Sequence, residues 1–539
     1  MPVTYDQAHQ YRRTGYWPDK TLHEWLDKNA IERPNALAVK DAPNRFNLTG
    51  QEALQFTWAE LKAVADNMSH DLSDLGLAKG DIALVQMPNI VDLVVLYYAL
   101  SRLGVLISPI PVQYGAHEIA TAHSVLKNRY AITLESFQGR PLPLAQSGIS
   151  SMTLLTLGED LALDPNARAQ ESQFEKIDAD HILTICWTSG TTGTPKGVPR
   201  HHNHWMAVGH CNIQGCGYRP GDVLLNPFPL VNMAALGGFL APAAMSGATL
   251  ILHHPIDVPI FLKQLEQERA TFTIAPPALL NQLASQPALW GQFDFSQLRA
   301  IGSGAAPLSP WMIETFEQTY GKTIINFYGS NEGIALHSTP ATAPEAEWRA
   351  AYFKRPEPDA SIQAAVADPD SQEILLGVGA VGELLMGGPT VFDGYYGRDN
   401  SDVFAANGYF RTGDLVEIAG DSGEYLRIVG RCKEMINRGG FKISPVEIDG
   451  LLEKLPGVVQ AAAFVVPDDR LGERVGAAIV LSADQTQFTL AELQKSFEDL
   501  GVAKFKWPEK LVFLNDLPRN PLAKVQRFVL TELYGDFTA

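Results

Sequence analysis

Positive charge and cysteine are both scarce in this chain. Lys and Arg number 42 against 60 Asp and Glu, a formal net charge of −18. That balance argues against a nucleic-acid footprint, which would need basic clusters, and no nucleic-acid partner is expected. It also requires that any anionic ligand be met by local donors. The four cysteines, Cys186, Cys211, Cys216 and Cys432, have no paired metal-ligand spacing. Reduced thiols in a cytoplasmic protein are expected. Met1 to Tyr16 is polar and charged, so a secretory signal is not expected. From Val223 to Ile256 there is no Asp, Glu, Lys or Arg, enough length for a membrane span. Pro227, Pro229, Gly237, Gly238, Pro242 and Gly247 interrupt that tract, so buried structure without a transmembrane segment is expected.

What is present is apolar and regularly punctuated. At 539 residues, 46% of them hydrophobic, the chain holds more than one domain with ample cores. Thr57 and Glu60 form a capping box, and Leu61, Val64, Met68, Leu72 and Leu75 recur at helical spacing up to Gly76. Asp81 to Met87 reads as a strand, Val91 to Leu103 as a helix stopped at Gly104, and Val105 to Ile110 as another strand. This alternation implies an α/β fold with a parallel sheet covered on both faces, its ligand at the carboxyl ends of the strands.

The run Trp187-Thr188-Ser189-Gly190-Thr191-Thr192-Gly193-Thr194-Pro195-Lys196-Gly197 follows an uncharged segment. Its glycines can turn backbone N–H groups toward an anion, while the hydroxyls and one ammonium add donors, as a triphosphate needs. The common P-loop has Gly before its lysine and Ser or Thr after it, whereas Lys196 lies between Pro195 and Gly197. A Gly/Thr surface loop is the competing reading. His201-His202-Asn203-His204, with His210, Cys211 and Cys216 nearby, matches no standard zinc spacing, and the polar start of a helix explains the run.

Further segments carry chemistry. The tract Asn226 to Met233 opens a stretch rich in Ala and Gly, which suits either an apolar ligand or close packing. Leu298 to Ile301 reads as a strand entering a glycine turn, Gly302-Ser303-Gly304-Ala305-Ala306-Pro307, before a helix capped by Ser309 with Pro310 in its first turn. Ile324 to Phe327 leads into Tyr328-Gly329-Ser330-Asn331-Glu332-Gly333, an aromatic face, a close-approach glycine and a carboxylate. In Gly408 to Leu415, Asp414 can accept two hydrogen bonds from a ribose diol. A domain boundary is expected after Gly430, dividing the chain into 1–430 and 431–539. Beyond it Ser444 and Glu447 cap a short helix and Val458 to Val466 is a strand, which makes a small α+β domain.

Together these segments closely resemble the adenylate-forming superfamily of acyl-CoA synthetases, peptide-synthetase adenylation domains and luciferases. The resemblance spans nearly the whole chain. It implies a large N-terminal domain of layered sheets and helices and a small mobile C-terminal lid. It further implies that Thr188, Ser189, Gly190, Thr191, Thr192, Gly193 and Lys196 bind the phosphates of ATP. Gly302, Ser303, Gly304, Ala305, Ala306, Asn326, Phe327, Tyr328, Gly329, Ser330 and Asn331 are implied around the nucleotide, with Tyr328 against adenine and Glu332 on Mg²⁺. Asp414 and Arg431 are implied at the ribose, Lys442 and Lys524 at the nucleotide, and Lys196, Glu332, Arg431 and Lys524 in catalysis. Asn232, Met233, Gly304 and Gly329 are implied in the carboxylate pocket, Lys433 as the lid hinge, and Gly439 and Gly440 along the CoA channel.

The chain departs from the family pattern at Asn232, where many acyl-CoA synthetases have histidine, at Asn331, where Thr is usual, and at Ala523, where Gly is usual. The implied activity is an ATP-dependent carboxylate:CoA ligase for an apolar acid, fatty or alicyclic, with Mg²⁺, ATP and CoA. Tyr11 to Trp17 and Ile436 to Gly440 also resemble the aryl-acid activating branch, whose members load a separate carrier protein. A non-catalytic acyl or nucleotide binder is the alternative of another class.

Overall fold

Strands such as Ile82–Gln86 and Leu106–Ile110 are buried at every position. A strand apolar on both faces is stable only between helices, which the intervening segments supply. The computed structural model describes residues 3–167, 174–188, 195–357, 362–482, 485–519 and 525–536. It divides into one unit of Met1–Ala364 with Met386–Phe410, and a second of Ala365–Leu385 with Arg411–Ala539.

The first unit contains two large sheets. One has six strands in the order Lys196–His201, Ile182–Thr188, Leu106–Ile110, Ile82–Gln86, Tyr130–Leu134, Thr153–Leu157. All its pairings are parallel except the edge hairpin Ile182–Thr188 with Lys196–His201. The other has eight strands in the order Ala335–Ser338, Thr323–Gly329, Ala300–Gly304, Phe272–Ile274, Val223–Asn226, Thr249–Leu252, Leu37–Lys40, Gln55–Thr57. Its centre is parallel and both edges are antiparallel. A core of Phe261, Leu265, Leu280, Trp290, Met312 and Phe316 packs with strand residues Leu225 and Ile301.

Local expectations hold at several ends. Helix Trp58–Asp74 begins with the Thr57/Glu60 capping box, and Val91–Leu103 ends at Gly104. The glycine segment differs from its reading as a turn. Gly302, Ser303 and Gly304 are the last residues of strand Ala300–Gly304, and the chain turns at Ala305, with φ of 65°. The neighbouring strand explains the glycines. A Cβ on Gly302 would lie 2.5 Å from the Phe327 ring, and one on Gly304 would lie 2.2 Å from the Phe327 carbonyl. Ser309 occupies the N-cap position of helix Pro310–Gln318, but its side chain makes no capping bond. Pro310 in the first turn sets the start of that helix.

The uncharged tract folds as strand Val223–Asn226, a short helix Met233–Ala235, a π-helical turn Leu236–Leu240, helix Ala241–Ser246 and strand Thr249–Leu252. Among the described residues no helix is long and apolar enough to cross a membrane.

The second unit contains Arg411 to Ala419 of strand Phe410–Ala419, paired antiparallel with Tyr425–Arg431. Its C-terminal sheet runs Phe441–Ile443, Ile436–Arg438, Gly472–Leu481, Val458–Asp468, with Lys510–Phe513 also on Gly472–Leu481. Ile448, Leu452, Leu493 and Phe497 from helices Pro445–Leu452 and Leu490–Asp499 pack in a core with Ala461 and Ile479 of the sheet.

Candidate active site

Lys196 opens an edge strand and pairs in register with Thr188 at the end of the preceding strand. Ser189, Gly190, Thr191, Thr192 and Gly193 lie outside the described residues, as does Lys524. The loop therefore leads into a strand, whereas the common P-loop leads into a helix. Its positive charge comes from Lys196, whose ammonium lies 4.7 Å from the centre of the Tyr395 ring.

Tyr395 also touches the second charged group of the site. Its hydroxyl donates to Glu332 Oε1 at 2.8 Å, and both residues are buried, each 8% exposed. Among the described residues this is the one side-chain hydrogen bond to that carboxylate. The segment carrying Tyr395 is fixed on either side, Phe392 N–H donating to the Glu332 carbonyl and Tyr396 N–H to the Gly197 carbonyl, both at 2.9 Å.

Asn331 joins three segments. Its Nδ2 donates to the Trp187 carbonyl at 2.9 Å, and its Oδ1 accepts from Met233 N–H at 2.8 Å. Its own carbonyl accepts from Arg200 Nη1 at 3.2 Å. Arg200 is fully buried, stacks on Trp205 at 4.9 Å and donates to the His204 carbonyl. Burial lowers its pKa to about 10. Gly333 has φ of 118°, and a Cβ there would lie 2.0 Å from the Thr390 carbonyl. Only glycine fits that backbone and that gap.

Other expected site residues serve the scaffold with their side chains. Ser303 Oγ donates to the Ala275 carbonyl at 2.8 Å, and Asn326 Nδ2 donates to the carbonyls of Arg349 and Ala350. The Phe327 ring meets His337 edge-on at 4.7 Å, while Tyr328 is half-buried, 5.9 Å from Phe353. Asn232 caps the short helix, its Oδ1 accepting from Ala234 and Ala235 N–H, which commits the amide oxygen to structure.

The histidine run starts a helix, with His201 at the N-cap accepting from His204 N–H at 3.0 Å. His201, His204 and Asp393 place ligand atoms within 4.8 Å of one another. The two imidazoles are stacked at 3.4 Å and 14°, so their in-plane lone pairs run side by side and do not converge on one ion. Burial holds His201, His202 and His204 well below the ordinary histidine range.

In the second unit, Asp414 and Arg431 face each other across two strands, with Arg431 Nε 2.5 Å from Asp414 Oδ1. Burial, with Glu383 and Asp414 nearby, pushes the Cys432 thiol up to about 11, so it is protonated at neutral pH. Lys433 is exposed. The Lys442 ammonium lies 3.1 Å from Asp370. Gly439 and Gly440 form the two-residue turn between Ile436–Arg438 and Phe441–Ile443, with φ of 58° and 90°. Two positive φ values in a two-residue hairpin define the type I′ turn.

Residues 26–396 match the family described as AMP-binding enzyme, and residues 447–524 match the AMP-binding enzyme C-terminal domain. The chain belongs to the AMP-binding enzyme family. It is thus an adenylate-forming ligase. It is similar to the 2-hydroxy-7-methoxy-5-methyl-1-naphthoate–CoA ligase of Streptomyces carzinostaticus, 31% identical over 99% of this chain and 97% of that one. It is also similar to the vibriobactin-specific 2,3-dihydroxybenzoate-AMP ligase of Vibrio cholerae, 30% identical over 97% and 95%. Among solved structures it resembles ATP-bound MatB from Rhodopseudomonas palustris, with TM-score 0.83 and 27% identity over 97% and 100%.

Within this AMP-binding enzyme the sequence reading missed Tyr395 and Arg200. Arg200 follows Pro199 in a strand and carries no motif of its own. Gly394-Tyr395-Tyr396 offers only a turn glycine before two aromatics.

Proposed function

We propose that this protein is an ATP-dependent carboxylate:CoA ligase that activates an apolar, ring-bearing acid as acyl-AMP. The observation that carries the proposal is the meeting of a lysine and a buried glutamate, Lys196 and Glu332, on one tyrosine. A triphosphate with a divalent cation calls for that pair of opposite charges. The uncharged tract beside Met233 favours an apolar acid. Both named relatives act on aromatic acids, which ranks a ring ahead of a straight chain.

A free carboxylate resists thiol attack because its leaving group would be oxide or hydroxide. In the proposed first step a carboxylate oxygen forms a bond to the α-phosphorus of ATP, and the α–β phosphoanhydride bond breaks to release pyrophosphate. Thr188 and Lys196 would hold the departing phosphates. Glu332 fits a small hard cation, since it is a buried carboxylate with Oε1 fixed by Tyr395. Magnesium, when bound, supplies charge that offsets the leaving pyrophosphate. Tyr328 would face the base, Asp414 oriented by Arg431 would accept from the ribose hydroxyls, and Lys524 would stabilise the reacting oxygens. Such catalysis is mainly positioning and electrostatics.

In the second step a thiolate adds to the acyl carbonyl carbon and AMP departs. We assign the acceptor to CoA, with the Gly439-Gly440 turn beside its pantetheine arm and Lys433 as the hinge that exchanges the two steps.

Product mass spectrometry after incubation with ATP, Mg²⁺, CoA and a panel of aryl, alicyclic and fatty acids tests the reading. AMP and one class of ring-bearing acyl-CoA are expected. An acyl-adenylate that accumulates while CoA is untouched would move the acceptor to a carrier protein. No AMP with any acid would overturn the enzymatic reading.

A further inference from the structure

We infer that Tyr395 is a positioning residue for magnesium triphosphate, setting the Glu332 carboxylate through its hydroxyl and the Lys196 ammonium through its ring. The inference rests on the adenylate-forming reading above and adds a residue to it. Both contacts come from one buried side chain, the hydroxyl 2.8 Å from Glu332 Oε1 and the ring centre 4.7 Å from Lys196 Nζ. A phenol suits both tasks. Its O–H donates to the ionised carboxylate without adding charge, and its π face attracts an ammonium without neutralising it as a second carboxylate would.

The surrounding loop holds the ring still. Tyr395 N–H donates to Asn400 Oδ1 at 2.8 Å, and Asn400 Nδ2 returns a bond to the Tyr395 carbonyl at 3.1 Å. The Phe392 ring packs edge-on at 4.9 Å, and the Arg398 guanidinium lies 5.3 Å from the ring centre. Backbone bonds from Phe392 to Glu332 and from Tyr396 to Gly197 tie this loop to the two segments whose charges it sets. The geometry separates the two roles by atom. Removing the hydroxyl acts on Glu332, and removing the ring acts on Lys196 as well.

The test is calorimetric binding of ATP to the full chain without any acid, once with Mg²⁺ and once with EDTA. For Tyr395→Phe, MgATP binding should weaken about tenfold, the scale of one hydrogen bond to a charged group, while metal-free ATP binding changes less than about twofold. Tyr395→Leu should weaken both. In a Glu332→Gln background, Tyr395→Phe should add less than about twofold, because its hydroxyl acts through that carboxylate. Asn400→Ala is the second variant, since it loosens the Tyr395 backbone without altering a ligand-facing side chain. It should weaken ATP binding about threefold both with and without Mg²⁺, because hydroxyl and ring shift together once both Asn400 bonds to the Tyr395 backbone are gone. Equal losses with and without Mg²⁺ for Tyr395→Phe, or effects of Tyr395→Phe and Glu332→Gln that simply multiply, would overturn the inference. Failure of the unaltered protein to bind MgATP would instead overturn the adenylate-forming assignment of this site, so the two failures are distinguishable.

Discussion

Asn331 ties together three segments that lie far apart in the chain. It bonds the strand Ile182–Thr188 and the start of helix Met233–Ala235 in the uncharged tract. Asn331→Ala would leave the Trp187 carbonyl and Met233 N–H unsatisfied, at about 1–3 kcal/mol each if both stay dry. Thermal unfolding should show the loss, and the KM for the acid should rise more than that for ATP. Unchanged KM values would limit Asn331 to stability. Nothing in the sequence named these two partners. The buried histidines give a second prediction at this scale. His254 and His337 are each held to about 4 by burial, and His201, His202 and His204 are also lowered. Between these depressed values and the ordinary value near 6.5, the unfolded chain binds protons that the folded chain does not. Stability is therefore complete above about pH 7 and falls with pH below it, by up to about 1.4 kcal/mol per unit for each such histidine. Asp92, raised to about 6, opposes this only below that pH. Melting temperatures from pH 7.5 to 6 should drop, and a flat profile would contradict the buried neutral state.

Elements were legible where local chemistry decides them. The Thr57/Glu60 capping box, the Gly104 stop and the helix start at the histidine run all follow from side-chain-to-backbone bonds or backbone freedom. The strand through Gly302 to Gly304 was not, because its glycines answer to Phe327 on the neighbouring strand. Sequence spacing cannot show that contact. Ser309 sits at a cap position yet does not cap, since Pro310 already sets the helix start. The Gly439-Gly440 hairpin gives the element-scale prediction. Gly440→Ala should cost about 1–2 kcal/mol for a left-handed backbone, with no clash because nothing lies within 4 Å of the new Cβ. Thioester formation from supplied acyl-adenylate should slow more than adenylation. An equal effect on both half-reactions would remove the turn from the thiol path.

Across the whole molecule, a net charge of −18 makes local donors the means of holding ATP. The family and its parallel sheets could be read from the order of motifs, and the match over residues 26–396 agrees with that order. The Tyr395 contact could not, because Lys196, Glu332 and Tyr395 are far apart in the chain and meet through a loop bonded to both other segments. The central claim is that this meeting serves adenylation. Its most direct test is acid-dependent exchange of labelled pyrophosphate into ATP, measured without any thiol for the unaltered protein and for Glu332→Gln. Exchange that requires the acid and falls about 10²–10³-fold in the variant, the scale of losing one preorganised electrostatic group, is the predicted result. Exchange that proceeds equally well in Glu332→Gln, or none with any acid in the unaltered protein, would contradict it.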